Sequence, residues 1–119
     1  MSLNMYLYNK NQKDHSFKSW TKNYALDYSI CLICNIKNSS QISHLNSKEL
    51  KRIVKGLTKT KSNIQHNRFD NIKYKDIANA WKEFNGELSI ENLERCIDTF
   101  NKAYEISVKE KVDFLYFVA

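Results

Sequence analysis

The stretch that most strongly indicates a fold is residues 46–60, which read NSKELKRIVKGLTKT. Its apolar residues recur at steps of three and four, the spacing of one face of an α-helix, and they are Leu50, Ile53, Val54 and Leu57. Asn46 is followed three residues later by Glu49, a pair that resembles a capping box with asparagine in place of serine or threonine. The stretch therefore predicts a helix that begins at Ser47 and ends near Thr60.

The other side of this predicted helix is basic. At about 100° per residue, the side opposite the apolar stripe carries Lys48, Lys51, Arg52, Lys55 and Lys59. Lysines along one helical side can neutralise successive phosphates and release counterions. Lys61 and Arg68 extend the basic character beyond this helix, so the seven residues together form the predicted site for nucleic acid or an acidic partner. The alternative, an ordinary solvated face of a surface helix, fits the same pattern equally well.

Four further helices are predicted on the same grounds, over residues 17–37, 73–84, 89–105 and from 107 into the apolar C-terminus. Ser16 and Ser89 are the expected caps of the first and fourth helices, and Ser107 with Glu110 resembles a second capping box. Gly86 can take the left-handed conformation that ends the third helix. Residues 3–8 alternate apolar and polar side chains, which predicts a short strand or an extended arm packed on the helices.

Composition also favours helices. The chain has 119 residues, no proline and two glycines, whereas all-β folds use both residue types freely in their turns. We therefore predict an all-α fold, a single domain over residues 1–119 built as a bundle of about five helices. The apolar end, residues 114–119, is expected either inside the bundle or as a helical contact in a homodimer.

Charge is divided unevenly along the chain. Residues 1–68 hold 12 Lys and Arg against 3 Asp and Glu, a net charge of +9, whereas residues 69–119 hold 7 against 10, a net charge of −3. The two halves give the overall charge of +6. An uneven distribution of this kind indicates a surface that meets a polyanion or an acidic protein.

Few residues suggest chemistry. Cys31 and Cys34 are spaced as a Cys-x-x-Cys pair, but no second pair of ligands follows, so we expect buried structural cysteines, no metal and no cofactor. The segment from His66 to Asp70 brings together a general base, a cation and a carboxylate, and an enzyme working through His66 is a further hypothesis. Because no recognised catalytic motif is present, we expect a protein that is not an enzyme.

The functional expectation is a binding protein. No secretory signal is evident and the longest apolar run, residues 28–36, is too short to span a bilayer, which predicts a cytoplasmic protein that does not bind membranes. The bias toward lysine, 16 Lys against 3 Arg, is typical of an AT-rich genome or a mobile element such as a phage. We expect a non-catalytic interaction module that docks its basic helix on a polyanion such as nucleic acid, with Tyr6 and Tyr8 stacking on bases if exposed. The alternative is a small inhibitor or an immunity or anti-defence protein that neutralises a partner protein.

Overall fold

A computed structural model describes residues 3–67 and 72–119 and contains both helices and strands. In chain order the elements are β1 (Asn4–Asn9), β2 (Lys18–Thr21), α1 (Tyr24–Cys34), β3 (Ser43–Leu45), α2 (Ser47–His66), α3 (Ile72–Asn85), a short 3-10 turn (Gly86–Leu88), α4 (Ser89–Glu110) and β4 (Phe114–Val118).

The four strands form one antiparallel sheet in the order β2-β1-β4-β3. The two ends of the chain make its centre, because Met5 on β1 lies opposite Val118 on β4 and Leu7 lies opposite Tyr116. Met5, Leu7 and Tyr116 are fully buried on the face that packs against the helices. Side chains alternate along a strand, so the intervening residues lie on the opposite face of the sheet.

The prediction of an all-α bundle of about five helices is wrong. The supposed last helix does not exist: α4 continues through Ser107 to Glu110, Lys111 ends it in a left-handed conformation (φ 52°), and the apolar tail becomes β4. The Ser107 hydroxyl donates to the Val112 carbonyl instead of capping a new helix. Phe114, Leu115 and Tyr116 are all buried, so β4 is covered on both faces and its sequence lacks the alternation that identifies a strand with one solvated face. The proposed dimer contact through a C-terminal helix loses its basis with that helix.

The predicted first helix, residues 17–37, was too long. The residues at its predicted start form β2 instead of a helix. Helix α1 is capped by Asn23 and not by Ser16: the Asn23 side chain accepts a hydrogen bond from the backbone N–H of Leu26 at 3.2 Å. Trp20 lies inward from β2 and stacks on Phe100 of α4 at 5.7 Å. Its spacing from Tyr24 matched a helical step although the two residues belong to different elements.

The remaining helices were placed correctly, with shifted ends. The capping box is confirmed. The Asn46 side chain accepts a hydrogen bond from the backbone N–H of Glu49 at 3.0 Å, and the Glu49 carboxylate accepts one from the backbone N–H of Asn46 at 3.3 Å. The helix runs on to His66, beyond the predicted end at Thr60. Gly86 is left-handed (φ 55°) as predicted. Ser89 does not cap α4, because its hydroxyl donates to backbone carbonyls.

Two close contacts set the positions of α1, α2 and α3. Trp81 of α3 is fully buried, and its indole N–H donates to the Ser29 hydroxyl of α1 at 2.8 Å. Gly56 of α2 packs directly on Ile33 of α1, where an added Cβ would overlap the Ile33 side chain. These contacts hold α1 against both α3 and α2, and α2 also packs against α3 and α4.

Candidate nucleic-acid interface

The basic side of α2 is a continuous ridge. Its five members fall within a sector of about 100° around the helix axis, on the side away from the core. We define the α2 ridge as Lys48, Lys51, Arg52, Lys55 and Lys59. All except the half-buried Lys51 are exposed. The ridge exists because the apolar side of α2, which includes the fully buried Leu50, Ile53 and Leu57, is committed to the core.

Two lysines of the ridge are held by tyrosine rings from neighbouring helices. The Lys51 ammonium lies 4.9 Å from the ring centroid of Tyr104 on α4, and the Lys59 ammonium lies 4.7 Å from that of Tyr74 on α3. A cation over an aromatic face at an exposed site contributes about 0.5–1 kcal/mol. The tyrosines therefore restrict these two charges without neutralising them.

An open groove runs along each side of the ridge. The groove between α2 and α4 has a volume of 320 Å³, and its lining includes Lys48, Lys51 and Tyr104. The groove toward α1 and α3 has a volume of 410 Å³, and Lys73 and Tyr74 contribute to its lining. Arg52 and Lys55 line both grooves, and within residues 3–67 and 72–119 no carboxylate lines either one. The geometry thus presents positive charge, with aromatic edges, along one side of the molecule.

The other two residues of the predicted site are not part of this ridge. Lys61 lies at the edge of α2 that meets α4, and its ammonium is 3.1 Å from the Glu94 carboxylate. Arg68 lies outside the residues that the structure describes. The predicted site therefore comprises five residues brought together on one helix side, one residue paired with an acid, and one that is not placed.

Tyr6 and Tyr8 lie on the face of the sheet opposite the helices. Both are half-buried and form a cluster with Phe117, at ring-centroid distances of 5.3 Å for Tyr6 and 5.8 Å for Tyr8. The ridge lies on the outer side of the helical layer. The tyrosines and the ridge therefore belong to two different surfaces and cannot share one short ligand footprint.

Cys96 is buried, whereas Cys31 and Cys34, which were expected to be buried, are half-buried. Burial raises the pKa of Cys31 to about 11 and that of both Cys34 and Cys96 to about 12. The neighbouring carboxylates Asp27 and Glu49 add to the shifts of Cys31 and Cys34 respectively. Thiols with pKa values this high stay protonated near neutral pH, whereas the thiolate is the metal ligand and nucleophile.

Among the described residues, no three His, Cys, Asp or Glu side chains are grouped closely enough to hold a metal ion. His66 is exposed at the end of α2, but Arg68 and Asp70, the other members of the hypothetical catalytic set, lie outside the described residues. In the described part of the chain, no helix has the length and apolar character needed to traverse a bilayer.

Three residues beside the ridge were missed by reading the sequence. By their spacing, Tyr74 and Tyr104 belong to the apolar stripes of their own helices, and Lys73 stands at the start of the predicted helix 73–84. Tyr74 and Tyr104 sit at the edges of their apolar stripes, where burial depends on which helix lies alongside. No local signal marks such a position, because the lysine above each ring comes from α2.

Comparisons with protein-family models, with curated proteins and with solved structures found no match to this chain.

Proposed function

We propose that this chain is a non-catalytic binding module that docks the α2 ridge on a polyanion, with nucleic acid as its ligand. The observation that supports this proposal is the ridge itself, five cations on one helix side flanked by grooves whose described lining includes no carboxylate. Phosphate-rich polymers bind such surfaces through charge neutralisation and counterion release.

The arrangement of the ridge is unfavourable for the isolated helix. Lys48 and Arg52, Lys51 and Lys55, and Lys55 and Lys59 are each four residues apart and therefore adjacent on the helix surface. Each like-charge pair of this kind destabilises a helix by about 0.2–0.5 kcal/mol at low salt. A row of phosphates along the ridge would remove this repulsion, so the ligand that fits best carries repeated negative charge.

The length of the ridge matches a short run of phosphates. Lys48 and Lys59 are eleven residues apart in α2, which corresponds to about 16 Å along the helix axis. One strand of a duplex carries a phosphate about every 3.4 Å of axis, so about five phosphates lie alongside the ridge. Five contacts give a slope of about −4.5 for log K against log salt on duplex DNA. Affinity should then fall about 500-fold between about 50 and 200 mM salt.

The test is fluorescence anisotropy with a labelled duplex and with its single strand. The ridge variant carries Lys48→Glu, Arg52→Glu and Lys55→Glu; Lys51 stays because it packs on Tyr104. The control variant carries glutamate at three exposed lysines outside the ridge, Lys10, Lys13 and Lys37. Each variant lowers the formal net charge from +6 to zero, so the comparison isolates the position of the charge.

We expect the ridge variant to lose at least about tenfold in affinity and most of the salt dependence, because three of about five phosphate contacts are reversed in sign. The control variant should lose much less at the same salt concentration. Equal losses in the two variants would contradict the proposal, since only net charge would then matter. Loss of affinity in Tyr8→Ala with full affinity in the ridge variant would also contradict it and would place the ligand on the sheet.

A further inference from the structure

A second surface of the molecule differs from the ridge in both shape and charge. It is a groove of 520 Å³ between α1 and α3, which we call the α1–α3 groove. Of the seven large apolar side chains that are exposed in the described part of the chain, three line this groove: Tyr24 (40%), Tyr28 (41%) and Phe84 (53%). The rings of Tyr24 and Phe84 lie 5.4 Å apart across it. Exposed aromatic side chains gathered in one groove indicate a binding surface.

The polar lining of the α1–α3 groove decides what kind of ligand it fits. Three carboxylates line it, those of Asp27, Asp76 and Glu83. Among the described residues, no lysine, arginine or histidine lines it, although the chain as a whole carries a charge of +6. The electrostatic complement of this lining is a cation, and the exposed ring faces also favour a cation.

Asp27 is fixed in position at the α1 side of the groove. Its carboxylate accepts hydrogen bonds from the Tyr116 hydroxyl at 2.5 Å, from the Ser39 hydroxyl at 3.4 Å and from the Cys31 thiol at 3.7 Å. Burial and the nearby carboxylate raise the pKa of Tyr116 far above its usual value, so its hydroxyl remains a donor. The groove therefore offers one carboxylate anchored by the core and two on the exposed side of α3.

Among cationic side chains, arginine matches these features best. Its planar guanidinium stacks on aromatic rings and donates paired hydrogen bonds to a carboxylate, whereas the lysine ammonium is a compact and strongly hydrated charge. Asp76 and Glu83 are seven residues apart on α3, or about 10 Å along the axis. A segment in the polyproline II conformation rises about 3.1 Å per residue and has three residues per turn, so two arginines three residues apart lie on one side of it about 9 Å apart and reach both carboxylates.

We propose that the α1–α3 groove binds arginine side chains of a basic segment of a partner protein. The ligand stacks guanidinium groups on Tyr24, Tyr28 and Phe84 and pairs them with the carboxylates of α3. This site shares no residue with the α2 ridge, so it can be occupied independently of nucleic acid.

The experiment measures binding of a labelled peptide, Gly-Arg-Ala-Ala-Arg-Gly, to the full chain by fluorescence anisotropy at low salt. The groove variant carries Asp76→Asn and Glu83→Gln, both at exposed positions of α3. The matched control carries the same chemical changes elsewhere, Asp14→Asn and Glu110→Gln, and both of those residues are also exposed. A third variant, Phe84→Ala, removes an exposed ring without touching the charge.

We expect the groove variant to weaken peptide binding about tenfold and Phe84→Ala several-fold, with the control close to wild type. The peptide with lysine in place of arginine should bind more weakly to the wild-type chain. Oligonucleotide affinity should not fall in the groove variant. Equal peptide affinity in the groove variant and its control would overturn the proposal. Self-association that disappears in both the groove variant and the ridge variant would assign the groove to a second copy of the chain, which would also overturn it.

Discussion

Replacing Lys55 by glutamate should make the protein more stable while weakening its binding to nucleic acid. Lys55 is exposed at the centre of the ridge, four residues from both Lys51 and Lys59. The substitution converts two repulsive pairs into two attractive ones. With about 0.2–0.5 kcal/mol for each pair before and after the change, the combined gain is about 0.8–2 kcal/mol at low salt. Glutamate and lysine have similar helix propensities, so the backbone contributes little to the difference.

The gain can be measured by thermal and urea denaturation followed by circular dichroism. For a chain of this size, about 1 kcal/mol corresponds to a rise in Tm of about 4 °C. The gain should shrink at about 0.5 M salt, because exposed charges are then screened. Lys55→Gln, which removes the repulsion without adding attraction, should show about half the effect. In the binding assay, Lys55→Gln should reduce the salt slope by about one unit, and Lys55→Glu should reduce affinity further.

Two results would refute this reasoning. If Lys55→Glu lowers the free energy of unfolding at low salt, the charges of the ridge do not repel one another as their spacing requires. If the variant is stabilised as expected but retains full oligonucleotide affinity, the ridge is a strained surface without the proposed ligand. Opposite signs for stability and binding are therefore the specific signature of a ridge that is kept for a polyanion.

Further predictions concern the start of α2 and the buried thiol. Asn46→Ala should lower the free energy of unfolding by about 1 kcal/mol in urea denaturation, because the Asn46 side chain is the acceptor for the backbone N–H of Glu49, and Asn46→Ser should restore most of it. Burial raises the pKa of Cys96 from 9.0 to about 12, so above pH 9 the unfolded chain loses a proton that the folded chain keeps, and stability falls as pH rises. Measured between pH 9 and 11, Cys96→Ala should make that decline shallower by up to about 1.4 kcal/mol per pH unit, and an unchanged slope would contradict the assignment.

The part of the fold that could be predicted from sequence is the part that local interactions determine. The capping box of α2 joins Asn46 to Glu49, three residues away, and the ridge follows from the helical repeat alone. The sheet does not have this property. Its centre pairs β1 with β4, so that Met5 lies opposite Val118. No short window of sequence contains both partners, and the apolar run of β4 is compatible with a buried helix or with a buried strand.

The same difference between local and long-range contacts applies to the candidate surfaces. The positions of the ridge lysines were predictable, because all of them belong to one helix. The tyrosines beneath Lys51 and Lys59 come from α4 and α3, and the α1–α3 groove combines Asp27 with residues about fifty positions later in the chain. Side chains brought together from separate elements become visible only when the packing of those elements is known.

The packing also changes the meaning of the uneven charge distribution. Along the sequence, the first half of the chain is basic and the second half is acidic. In three dimensions three of the ten carboxylates of the second half form ion pairs within the described part of the chain: Glu94 pairs with Lys61 of the first half, and within α4 Glu91 pairs with Arg95 and Asp98 with Lys102. Neither the ridge residues nor the carboxylates that line the α1–α3 groove take part in these pairs. The ridge and the α1–α3 groove are therefore two surfaces of opposite charge. We therefore propose that the protein holds a polyanion on the ridge and a basic partner in the α1–α3 groove at the same time.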